Sequence, residues 1–163
     1  MFEAAPIVAA DKPALYAELA QQVRGLLHGE TNLVANAANF AALVWHALPD
    51  INWCGFYFSD GDGLVVGPFQ GKPACVRIAP GRGVCGTAAM SRQTQVVADV
   101  NAFSDHIACD VATRSEIVVP LIRTDGTLLG VWDVDSPHVA RFDDEDRAGM
   151  EALCAEFMRA VGE

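Results

Sequence analysis

Ser115-Glu116-Ile117-Val118-Val119-Pro120-Leu121-Ile122, then Arg123-Thr124-Asp125-Gly126, then Thr127-Leu128-Leu129-Gly130-Val131-Trp132-Asp133-Val134 is the stretch whose reading decides the fold. Both flanks are rich in β-branched and apolar residues, and Thr-Asp-Gly between them supplies a turn, so the pattern predicts a hairpin of strands 115–122 and 127–134. Upstream, residues 52–58 and 64–69 have the same character and flank Ser59-Asp60-Gly61-Asp62-Gly63, a second hairpin. Strands that arrive in hairpin pairs are antiparallel, because each parallel pair would need a helical crossover between its members.

Short strands are expected at 75–78 and 95–98, with Pro80-Gly81-Arg82-Gly83 bending the chain into a helix over 84–91 between them. Residues 100–113 show neither period and read as a long surface loop. Three further segments have helical spacing. Leu15, Leu19, Val23, Leu26 and Leu27 form one stripe after Asp11 as N-cap, with Pro13 tolerable in the first turn. Leu33, Ala37, Phe40, Val44 and Leu48 form another, with Thr31 as cap and Pro49 as stop. Met150, Leu153, Cys154, Phe157 and Met158 form the third, over 143–161. The fold class is therefore α+β, an antiparallel sheet flanked by helices. One domain over 1–163 is expected, with N-terminal helices in 11–48, sheet and functional loops in 51–136, and a closing helix at 143–161.

The 163 residues are 52% hydrophobic and 20% charged, a globular composition. A net charge of −10, with only 11 Lys and Arg, argues against a nucleic-acid surface. No apolar run is long enough to cross a bilayer, and the first residues lack a basic head and cleavage site, so a cytoplasmic location and no membrane partner are expected. In that reducing compartment the five cysteines are not expected to form stable cross-links, and a disulfide among them would be transient.

Cys109 is flanked by His106, Asp110 and Arg114, which makes it the cysteine in the most polar setting and the candidate nucleophile. Cys75 and Cys85 stand in glycine-rich, polar surroundings. Cys54 and Cys154 fall on apolar stripes, where a thiol packs and stays inert. No C-x-x-C or H-E-x-x-H spacing signals zinc, and Gly81-Arg82-Gly83 completes neither nucleotide fingerprint, so it reads as a sharp turn. Glu116, Asp133 and Asp135 form a second group. Asp133 and Asp135 are two apart on a strand and share a face. They could be solvated surface acids, or a pair that receives an ammonium group beside a third acid kept neutral by crowding. Trp53 and Tyr57 also share a face, and either pack in a core or wall a small pocket.

Asn52-Trp53-Cys54-Gly55-Phe56-Tyr57, Phe69-Gln70-Gly71-Lys72-Pro73-Ala74-Cys75 with Gly83-Val84-Cys85-Gly86-Thr87, His106-Ile107-Ala108-Cys109-Asp110, Arg114-Ser115-Glu116-Ile117-Val118-Val119-Pro120 and Asp133-Val134-Asp135-Ser136 together resemble the free methionine-R-sulfoxide reductases, a GAF-domain family. The resemblance covers about 52–136, with fainter similarity in the flanking helices. It implies that Cys109 attacks the sulfoxide sulfur, that methionine leaves, and that the sulfenic acid condenses with Cys75 to a disulfide reopened by an external dithiol such as thioredoxin. Cys85 would be a pocket cysteine or an auxiliary resolver. Glu116, Asp133 and Asp135 would hold the sulfoxide oxygen and the amino group, and Trp53 and Tyr57 would pack on the methyl and thioether end. No metal, flavin or nucleotide cofactor would be needed, and a homodimer is suggested. Two departures bear on pocket shape: Ser104-Asp105 replaces an expected proline-glycine turn, and Trp132 replaces an aliphatic residue before Asp133. Two rival readings are a non-catalytic GAF sensor of a small ligand, and a thiol redox switch in which a Cys75–Cys109 disulfide alters partner binding.

Overall fold

The structure is a computed structural model that describes residues 4–103 and 110–163; Cys109, His106 and the Ser104-Asp105 departure lie outside the described residues. Six strands form one sheet: β1 (Trp53–Asp60), β2 (Gly63–Gly71), β3 (Arg77–Ile78), β4 (Gln95–Val97), β5 (Ser115–Ile122) and β6 (Leu128–Ser136). Their spatial order is β3-β2-β1-β6-β5-β4, and each neighbouring pair is antiparallel. The expected hairpins β1–β2 and β5–β6 are both present, so the strands meet as their turn chemistry dictates.

Helices α1 (Lys12–Leu26), α2 (Leu33–Ala47) and α4 (Asp144–Ala160) share one core with one face of the sheet, and α3 (Gly83–Ser91) packs on the other. Alternation along the strands sorts the side chains. Cys54 and Phe56 of β1, Ile117, Val119 and Leu121 of β5, and Trp132 and Val134 of β6 enter the three-helix core. Trp53 and Tyr57, Val118, and Val131 face α3. Phe40 of α2 meets Trp132 edge-on at 4.8 Å and Phe157 of α4 at 5.5 Å, and Phe56 meets Trp132 at 4.7 Å. These aromatic pairs add to the burial of their area and hold the helices against the sheet. Trp132 thus lies on the sheet face away from α3, which corrects the expectation that it shapes the pocket.

Other corrections are local. Asn32, not Thr31, caps α2, its side chain accepting from the Ala35 N–H at 3.0 Å. The strand expected over 75–78 shrinks to Arg77–Ile78, and Cys75 sits in the connection before it. Gly71 at φ 120° and Pro73 turn the chain away from β2 there, a backbone conformation open to glycine. Strand β6 extends two residues beyond the expected end because Asp135 and Ser136 pair with Glu116 and Ser115. Within 100–113, Val100–Ala102 forms a single 3-10 turn capped by Asp99.

Asp146, fully buried in the first turn of α4, accepts from Tyr16 Oη at 2.8 Å and pairs with Lys12 at 2.6 Å and Arg141 at 3.1 Å. Two cations and a phenol compensate the buried charge, and α1 is thereby locked beside α4. Gly149, one turn on, lies against the Tyr16 ring; a Cβ there would sit 2.1 Å from Tyr16 Cγ. Alanine in a helix interior normally gains up to about 1 kcal/mol over glycine. Overpacking costs about 1–3 kcal/mol, and it outweighs that gain here because the ring cannot swing away while its hydroxyl holds Asp146. Gly149→Ala is therefore expected to lower the melting temperature, as thermal denaturation followed by circular dichroism would show; an increase would refute the packing argument.

Candidate functional site

The face of the sheet under α3 carries a pocket lined by residues of β1, β5, β6, α3 and the β2–β3 connection. Register builds its floor. Trp53 of β1 lies opposite Asp135 of β6, which lies opposite Glu116 of β5, and Gly55 and Asp133 form the next row. The pleat aims all of these at one face, so Glu116, Asp133 and Asp135 converge with Trp53 and Tyr57. Cys85 reaches the same hollow from the first turn of α3.

The aromatic wall is stacked. Trp53 lies 5.3 Å from Phe69 at 18° between ring planes, and 5.8 Å from Tyr57 at 29°. Its indole N–H donates to the Lys72 carbonyl at 3.1 Å. Gly55 makes the stack possible, since a Cβ there would fall 2.3 Å from Phe69 Cβ and 2.7 Å from the Trp53 ring. Neither the core reading nor the pocket reading of Trp53 and Tyr57 excludes the other: both pack in the second apolar cluster and both line the pocket.

The acids are not solvated. Glu116 and Asp133 are each 6% exposed and Asp135 is 9% exposed. Burial, then the charges of Asp133 and Asp135, push the Glu116 carboxyl well above the usual carboxylate range. Burial raises Asp133 to about 7, with hydrogen bonds from Cys85 and Glu116 opposing the rise. Asp135 is raised well above its ordinary value by burial, then by Asp133 and Asp110. The Cys85 thiol donates to Asp133 Oδ2 at 3.3 Å and lies 3.9 Å from Glu116 Oε1. Burial and the charges of Asp133 and Glu116 push it well up, which keeps it a protonated donor and not a thiolate. Asp133 Oδ1 is buried with no hydrogen-bond partner among the described residues.

Cys75 is half-buried in the β2–β3 connection, next to pocket-lining Ala74. Lys72, three residues before it, pairs with Asp110 at 3.0 Å, and Asn52 donates to Thr113 Oγ1 at 3.0 Å and to Asp110 Oδ2 at 3.4 Å. Cys109 immediately precedes Asp110 in sequence and lies outside the described residues. Arg114 is held by Asp99 at 3.5 Å. Cys54 is buried against the Ala41 carbonyl at 3.5 Å and Cys154 is buried on α4, as their apolar stripes predict. Arg82, Gly83, Val84, Ala74, Ile78 and Thr113 complete the lining, none of them expected as a pocket residue. Gly81-Arg82-Gly83 hinted at the first three, since a glycine turn before a helix presents its free N–H groups.

A sheet with helices on both faces and a ligand-sized hollow under one short helix defines a GAF domain, and the GAF family model matches residues 3–161. Within that class the chain belongs to the free methionine-R-sulfoxide reductase family. It is 48% identical to the free methionine-R-sulfoxide reductase of Escherichia coli over 93% of this chain and 91% of that one. The free methionine-R-sulfoxide reductase of Neisseria meningitidis, solved in complex with its substrate, is 45% identical with a TM-score of 0.93 over 99% of this chain and 96% of that one. A Burkholderia vietnamiensis protein described as a candidate GAF sensor is 66% identical, with a TM-score of 0.90 over 94% of this chain and 100% of that one.

A pH dependence of stability follows. Asp133 has a raised folded pKa, so its neutral form stabilises the fold below the unfolded pKa near 4, and that contribution is lost as pH rises through about 7. The melting temperature of the wild type relative to Asp133→Asn should therefore fall between pH 4 and pH 8; a difference that stays flat or grows would show that Asp133 ionises freely.

Proposed function

We propose that the protein reduces free L-methionine-R-sulfoxide to L-methionine, with Cys109 as nucleophile and Cys75 as resolving thiol, and that thioredoxin or a similar dithiol in a reducing cytoplasm restores the enzyme. The observation that carries this reading is the convergence of three buried acids with an aromatic wall in one pocket, in a chain whose relatives of nearly the same length bear the reductase name. A zwitterion suits such a pocket. Its ammonium group supplies the cation that buried Asp133 and Asp135 lack among the described residues, and its carboxylate can approach the first turn of α3, where free N–H groups and the helix dipole favour an anion. Trp53 and Tyr57 offer the methyl and thioether an apolar wall.

Chemistry then follows from protonation. Glu116, held neutral by its surroundings, donates a proton to the sulfoxide oxygen as the Cys109 thiolate attacks sulfur; the resulting hydroxyl then passes to the Cys109 sulfur as the new sulfur–sulfur bond breaks and its electron pair returns to the thioether. Methionine departs and Cys109 carries the oxygen as a sulfenic acid. The Cys75 thiol attacks the sulfenic sulfur, water leaves, and a disulfide remains; an external dithiol reopens it by exchange and is itself oxidised. Each turnover converts one sulfoxide and one dithiol into methionine, a disulfide and water. Lys72, three residues before Cys75, ties the β2–β3 connection to Asp110 through its ion pair. Cys85 serves as a pocket thiol that donates to Asp133.

A coupled assay with thioredoxin, its reductase and NADPH tests the assignment. Cys109→Ser should abolish NADPH consumption on free methionine-R-sulfoxide, and Cys75→Ser should release about one equivalent of methionine per protein in a single burst. Wild-type turnover in both variants would refute these roles, and no turnover by the wild type would favour a ligand-binding sensor. Glu116→Gln should lower kcat/KM by about 10²–10⁴-fold. In the wild type kcat should fall as pH rises through the raised pKa of Glu116, because only the neutral acid donates; this limb should vanish in the Gln variant, and its persistence there would assign the proton to another group.

A further inference from the structure

Cys85 of α3, Glu116 of β5 and Asp133 of β6 bring one sulfur and two carboxylate oxygens within 4.8 Å of one another, all three residues buried. No linear spacing marks them, since three separate elements deliver one ligand atom each. A tetrahedral zinc site with a sulfur at about 2.3 Å and oxygens at about 2.0–2.2 Å has sulfur–oxygen edges of about 3.5 Å. The Cys85 sulfur stands 3.3 Å from Asp133 Oδ2 and 3.9 Å from Glu116 Oε1, so tenths of an ångström separate this cluster from that geometry. A second observation points the same way. Asp133 Oδ1, in a residue more than nine-tenths buried and lining the pocket, accepts no hydrogen bond among the described residues. A buried carboxylate oxygen left so is costly and calls for a positive partner.

We infer that the pocket captures a thiophilic divalent cation, Zn²⁺ or Cd²⁺, on Cys85, Glu116 and Asp133, with water as fourth ligand. The thiol and any carboxyl proton leave to solvent as the bonds form, and no oxidation state changes. One sulfur among the donors favours these ions over Mg²⁺ and Ca²⁺, which take oxygen ligands in larger numbers. Because the cation occupies acids that the proposed reading gives to the substrate, sulfoxide and metal exclude one another; this exclusion rests on that reading, and metal binding itself does not.

The test is a titration of the full-length, reduced Cys75→Ser/Cys109→Ser protein with Cd²⁺, followed by the ultraviolet sulfur-to-metal charge-transfer band, with Zn²⁺ as competitor. One equivalent should bind. Cys85→Ala in that background should abolish the band, and Asp133→Asn should weaken binding at least tenfold while circular dichroism stays unchanged. No band in the background protein, or a band that survives Cys85→Ala, would overturn the site. Free methionine sulfoxide should displace the bound Cd²⁺. Metal binding without such displacement, together with no reductase activity in the wild-type protein, would overturn the functional reading and leave the metal site standing, whereas wild-type turnover without metal binding in the background protein would do the reverse.

Discussion

The pleat of the three central strands is the constraint on which the rest depends. Along β6, Trp132 and Val134 enter the helical core while Asp133 and Asp135 enter the pocket. A slip of one residue would drive two carboxylates into the aromatic cluster around Phe40 and bring an indole into the site, so the register has no nearby alternative. The hairpin turn secures it. The Arg123 N–H donates to the Thr127 carbonyl at 2.8 Å, and the Asp125 side chain takes the Thr127 N–H at 2.8 Å. Large aromatic groups on one face thus enforce the placement of acids on the other, and the core's packing is also the site's alignment.

That alignment has an electrostatic cost. Raising the Asp133 pKa to about 7 corresponds to on the order of 4 kcal/mol of resistance to ionisation. Elsewhere the same chain compensates a buried acid in full, with Lys12, Arg141 and Tyr16 around Asp146. The contrast separates structure from function. At Asp146 the partners are built in, and the acid fastens two helices; in the pocket an oxygen of Asp133 is left for a visitor to satisfy.

Much of the fold was legible because its signals are local. Hairpin turns at Asp60-Gly61 and Asp125-Gly126, the Pro49 stop and the apolar stripes each act within a few residues, and the elements formed where they were read. The common face of Asp133 and Asp135 followed from strand parity alone. Other features were illegible for a physical reason: they arise between elements. Whether Asp133 and Asp135 meet solvent or a pocket depends on α3 covering that face, and the approach of Cys85 to Asp133 joins residues 48 positions apart. The placement of Trp132 was misjudged because its neighbour Asp133 lines the pocket, and adjacency in a strand means opposite faces. Lys72 and Asn52 stood within recognisable motifs, yet their partnership with Asp110 could be seen only once β1, β2 and the loop were brought together.

In the proposed reading, selectivity for a free amino acid and affinity for a metal ion have one origin. A pocket whose Asp133 and Asp135 form no ion pair among the described residues is stabilised by whichever positive group can enter beside them, and entry is governed by size and shape. A peptide-bound methionine sulfoxide carries no ammonium group at the α-position, so its binding would leave the acids uncompensated while excluding water from them, a loss on the order of a few kcal/mol per uncompensated polar group. An ammonium group fits and is released with the product. A thiophilic ion fits as well, but bonds to the Cys85 sulfur, which makes no such bond with an amine. The thiol that donates to Asp133 is therefore also the feature that decides how firmly a wrong cation is held.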